Sequence, residues 1–118
     1  MAAINRYQGE LYYEDSSKVI IPVFIVRQDE IAFAFSNEST EYGRWDAASG
    51  VPARLQPNGD YVAENVQASQ RGVPAALPWK ITFRLGEEVP GEFIEVSGSL
   101  SEGSSTWEFE GALEAIVS

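Results

Sequence analysis

Cysteine and histidine are both absent from this 118-residue chain. Without cysteine there is no disulfide scaffold, no thiolate metal site and no thiol nucleophile. Without histidine, the commonest transition-metal ligand and the commonest general base are missing. Ser-His-Asp catalysis, His-held zinc and haem on a proximal His are therefore excluded, and the expectation is a non-enzymatic protein with no cofactor and no metal. Basic residues are also scarce, 8 Lys and Arg against 18 Asp and Glu, which leaves a formal net charge of −10. The cations are scattered at Arg6, Lys18, Arg27, Arg44, Arg54, Arg71, Lys80 and Arg84. A phosphate backbone or an anionic membrane surface would be repelled, so neither nucleic acid nor membrane is an expected partner.

Long apolar runs are lacking. The longest spans Val19 to Val26, well short of the roughly 20 residues that a membrane helix needs. The start, Met1 to Arg6, has no basic stretch followed by an apolar core, so the segment reads as no signal peptide and the location as cytoplasmic. Phosphate loops and dinucleotide fingerprints do not occur. Polar helix-forming blocks are few, whereas Val, Ile, Phe, Tyr and Trp are plentiful within a hydrophobic content of 44%. This composition indicates one globular all-β domain over residues 1–118.

Alternation of apolar and polar residues marks the strands. Trp79 to Leu85 alternates without a break, and Ile94, Val96, Gly98 and Leu100 share one face of the next strand. Trp107, Phe109, Gly111 and Leu113 share a face of the last, with Glu108, Glu110 and Glu114 opposite. Avoiding a Glu95–Glu110 pair selects a register in which Leu100 meets Trp107, Gly98 meets Phe109, Val96 meets Gly111 and Ile94 meets Leu113. A four-residue loop, Glu102 to Ser105, would join the two strands. Gly98 then lies beneath an aromatic ring, and inward glycines of the Gly-x-Leu triplets at Gly9, Gly98 and Gly111 suit a curved sheet.

Earlier in the chain, strands are expected at Asn5 to Tyr13, Lys18 to Arg27 and Glu30 to Ser36. Pro22 should sit at an edge or bulge, because it lacks a ladder donor. Strands 18–27 and 30–36 carry a second apolar face of Val23, Ile25, Ala32 and Ala34, which calls for cover by the chain itself or by a second copy. A short strand follows at Tyr42 to Asp46, an interrupted one at Val51 to Gln56, an Asn58-Gly59 hairpin turn, and a return at Tyr61 to Val66. Gln67 to Pro78 reads as a long loop, with a short helix through Ala63 to Ala68 as an alternative. The total is eight or nine strands in an antiparallel meander, a barrel, flattened barrel or sandwich.

Three groups compete as sites. Glu95, Glu108, Glu110 and Glu114 offer carboxylates, but a solvated face on an acidic protein accounts for them. Trp79 and Trp107 are in phase with buried faces and are expected in the core. Tyr42, Arg44, Trp45 and Asp46 form the best compact mixture of apolar and polar groups, with Arg71 on the long loop and Trp79 beside it, as ligand sites require. Gly43-Arg44-Trp45 resembles the Gly-x-Trp signature of the lipocalin-like barrels, and the resemblance implies a small apolar ligand held in a barrel mouth. It covers three residues, and in that family the triplet opens the first strand, whereas here it lies over a third of the way along the chain.

The reading is therefore a β-barrel binding module, with its site at the end formed by the loops around residues 42–46 and 71–79. Its ligand would be a small apolar or carbohydrate-like molecule. The alternative is an interaction or assembly module, a homo-oligomer or a partner for a basic protein, using Val23, Ile25, Ala32 and Ala34.

Overall fold

The computed structural model describes residues 5–39, 43–47 and 52–116. It contains eleven strands: β1 (Asn5–Tyr13), β2 (Lys18–Arg27), β3 (Glu30–Ser39), β4 (Gly43–Ala47), β5 (Ala53–Leu55), β6 (Tyr61–Val66), β7 (Ala68–Gln70), β8 (Val73–Pro74), β9 (Trp79–Val89), β10 (Phe93–Glu102) and β11 (Ser105–Ala115). All belong to one antiparallel sheet, which closes through the pairing of β2 with β3. Among the described residues no helix is long and apolar enough to cross a membrane.

The eleven strands reduce to eight staves. β3 pairs with β4 along Phe35 to Ser39 and with β5 at Glu30 and Ile31, so β4 and β5 are one interrupted stave. β5 pairs with β6 and β4 with β7, so β6 and β7 form the next. The result is a closed eight-stranded up-and-down barrel, with β8 folded back on β7 as an extra strand. Closure removes the exposed sheet edges that would otherwise template aggregation.

The hairpin of β10 and β11 has the expected register, with Leu100 opposite Trp107, Gly98 opposite Phe109, Val96 opposite Gly111 and Ile94 opposite Leu113. The ladder continues to Glu102 and Ser105, so the loop shortens from four residues to Gly103 and Ser104. Pro22 falls at a bulge in β2, where the register against β3 shifts between Ile20 and Val23. A bulge absorbs the missing donor and moves the inward positions from Ile21 to Phe24. Gly59, with φ of +93°, turns the β5–β6 hairpin, where the Gln56 N–H donates to Asp60 O at 2.7 Å.

Three expectations change. β3 runs to Ser39 rather than Ser36 because its last residues pair with β4. No helix forms through Ala63 to Ala68; Tyr61 to Gln70 is strand apart from Gln67, with Asn65 at φ 57° beside the register shift against β9. The segment from Gln67 to Pro78 is no simple loop, since β7 and β8 pair within it.

Inward residues fill the barrel with a connected column of rings. Phe24 and Phe33 meet Phe83 edge-on, at centroid distances of 5.2 and 5.1 Å. Phe35 meets Trp79 edge-on at 6.1 Å, and Phe109 links Phe83 to Tyr13. Edge-to-face rings of this kind add about 0.5–1.5 kcal/mol per pair beyond the area they bury.

Candidate functional site

A meander places its turns alternately at the two ends of the barrel. One end carries the 28–29, 56–60 and 90–92 turns. The other gathers the turn after Tyr13, the paired ends of β3 and β4 at Ser39 and Gly43, the β7–β8 hairpin and the turn at Gly103. At this second end the column of rings stops short, and a cavity of about 340 Å³ opens between the strand ends. We call it the mouth.

The mouth is built from positions near the ends of six strands, β1, β3, β4, β9, β10 and β11. Tyr13 ends β1, Asn37 and Ser39 end β3, Gly43 and Trp45 begin β4, Trp79 begins β9, Leu100 and Glu102 end β10, and Trp107 begins β11. Asp15 and Ser17 join from the β1–β2 turn. All three tryptophans of the chain thus line one cavity. Trp45 and Trp79 lie 6.4 Å apart with their planes tilted by 53°, forming a corner rather than a stack. The Trp79 indole N–H donates to Glu102 Oε2 at 2.7 Å, which fixes both groups.

Among the described residues that line the mouth, Tyr13 and Asn37 each bury a polar atom without a hydrogen-bond partner, the hydroxyl and Oδ1. Tyr13 is only 8% exposed. A buried polar group left unpaired costs about 1–3 kcal/mol, and folded proteins carry few such groups. Burial, and then the charge of Asp15, push the Tyr13 phenol up from its ordinary value, so it stays a neutral donor. Asp15 is held below the usual carboxylate range by hydrogen bonds from the Ser17 hydroxyl and backbone N–H.

The six residues proposed from sequence separate here. Trp45 and Trp79 line the mouth. Arg44 and Asp46 flank Trp45 in the strand, so alternation turns them to the outer wall, both exposed. There Asp46 accepts from the buried Ser36 hydroxyl at 2.6 Å and from Arg44 Nε at 3.2 Å, and these bonds, Ser36 first, hold its carboxyl low. Arg71 sits on the exposed β7–β8 turn at φ 51° and does not line the cavity. Tyr42 lies outside the described residues. Trp107, expected in the core, is instead 42% exposed at the mouth: it faces inward, but above the level at which the barrel is filled.

The sequence reading missed Tyr13, Asn37 and Glu102. Their signal was positional, since each is an inward residue at a strand end on the side of the barrel away from the 28–29 and 56–60 turns. Val23, Ile25, Ala32 and Ala34 do lie together on the outer wall, with Val23 opposite Ala34 and Ile25 opposite Ala32. Val23 is exposed and the other three are half-buried.

A broader depression of about 1200 Å³ crosses the outer wall over β1 and β9 to β11, edged by Arg84, Glu95, Glu108 and Glu110. Two of its polar groups are already engaged: Arg84 Nε donates to Asp60 at 2.7 Å, and Glu95 accepts from the Glu87 N–H at 3.3 Å. Among the described residues no three acidic side chains gather closely enough to hold a metal. The smaller mouth, with its unpaired atoms and converging indoles, is therefore the better candidate site.

No protein-family model, curated protein or solved structure matches this chain.

Proposed function

We propose that this protein is a non-enzymatic binding barrel that holds one small molecule in its mouth. The observation that carries the reading is the convergence of all three tryptophans on one cavity, whose lining also includes Tyr13 and Asn37, each with a buried polar atom left unpaired. A volume of about 340 Å³ lies at the small end of the roughly 300–1,000 Å³ range of ligand pockets. The mixture of an apolar lining with a few fixed polar groups is what such sites use for affinity and orientation. Native mass spectrometry of gently purified protein, with and without an added small aromatic compound, tests the reading. One added molecule per chain is expected, and the adduct should disappear in the double variant Trp45→Ala/Trp107→Ala. An adduct that survives both substitutions contradicts it.

A second reading, self-association, is favoured by one observation: Val23 is 42% exposed beside the half-buried Ile25, Ala32 and Ala34. Two copies meeting on this outer wall would cover it without touching the mouth, so the two readings are compatible.

A further inference from the structure

We propose that the mouth selects a small organic cation, a protonated amine whose apolar body lies against the indoles while its charge faces Asp15 and Glu102. The inference rests on the mouth being a ligand site and narrows that site to one chemical class.

Charge comes first. The described residues lining the cavity include two carboxylates, Asp15 and Glu102, and no Lys or Arg. Asp15 is kept ionised by its bonds from Ser17. Glu102 is tied to the Trp79 indole N–H, so a carboxylate is fixed at the edge of a ring that lines the same space. An anionic ligand would meet both acids with no cation to answer it.

Shape agrees with charge. Indole faces carry negative potential, and a cation held over them is attracted, more strongly as water is excluded. The tilted pair of Trp45 and Trp79 forms two walls of such a pocket, and Trp107 on β11 adds a third ring. The unpaired atoms fit as well. Asn37 lines the cavity, and its buried Oδ1 is an acceptor without a donor, which an ammonium N–H would supply after a rotation of the side chain. Tyr13, 8% exposed as a residue, lines the same cavity, and its buried hydroxyl is a second polar group without a partner. A neutral sugar could stack on the indoles but would leave the two carboxylates without a counter-charge.

Three probes of one shape separate these terms: phenethylamine, phenethyl alcohol and hydrocinnamate, which carry positive, neutral and negative charge at neutral pH. Each is titrated into the full chain, followed by tryptophan fluorescence and calorimetry. The amine is expected to bind roughly tenfold more tightly than the alcohol, and the acid most weakly. Glu102→Gln keeps an oxygen to accept from Trp79, and it should close much of the gap between amine and alcohol. If the alcohol or the acid binds as tightly as the amine, the cation class is overturned while the mouth remains a ligand site. If none of the three binds, both readings fall.

Discussion

At the scale of single residues, the fold depends on positions where no side chain fits. A Cβ on Gly98 would lie 2.0 Å from the Thr82 carbonyl oxygen and 3.0 Å from the Phe109 ring. Neither neighbour can yield, since one is backbone of the paired strand and the other is a core ring. Gly98→Ala is therefore expected to cost about 3 kcal/mol or more by overpacking, read as a fall in the denaturant midpoint. A variant as stable as the parent would contradict the close approach. At the other end of the barrel, the Tyr7 hydroxyl donates to Glu88 at 2.7 Å. Burial, then Glu88, raise its pKa from 10.0 to about 12. The folded state thus holds this proton more tightly than the unfolded chain. Its contribution to stability is complete below pH 10 and is lost as pH rises through about 12. Alkaline unfolding followed by circular dichroism should show that loss, and Tyr7→Phe should flatten it. An unchanged alkaline limb in Tyr7→Phe would assign the transition elsewhere.

At the scale of elements, alternation told inside from outside almost everywhere. Trp79, Ile81 and Phe83 are buried and Lys80 and Arg84 exposed, as the period of two requires. The β10–β11 register was legible because a single like-charge pair and an inward glycine left one consistent solution. Alternation does not give height along the barrel axis. That is why Trp107, correctly assigned to the inner face, was read as core although it stands at the open end. Nor did it reveal that β4 and β5 share one stave, because the pairing partners that unite them, β3 on one side and β6–β7 on the other, are distant in sequence. For the same reason Arg44 and Asp46 seemed to join Trp45, although neighbours in a strand face opposite ways. The outer patch of β2 and β3 belongs at this scale too. If it mediates self-association, Ile25→Asp leaves the barrel folded and converts a concentration-dependent oligomer to monomer in sedimentation velocity. An oligomer that survives the substitution would place its interface elsewhere.

At the scale of the whole molecule, the barrel divides along its axis. Rings of Phe24, Phe33 and Phe83 fill the end near the 28–29 turn, and the aromatic column ends in indoles around a cavity at the other. The indoles of the mouth are positioned by strands, with only Asp15 and Ser17 supplied by a turn. The three tryptophans make this division directly observable. In a proton–nitrogen correlation spectrum, the chain gives three indole N–H signals, one each from Trp45, Trp79 and Trp107, and all three line the mouth. Titration with phenethylamine should shift all three together, while the amides of Gln28, Asp29, Gly59 and Gly91 at the opposite end stay in place. Shifts confined to the outer wall or to the far turns, with the indole signals unmoved, would contradict the mouth as the ligand site.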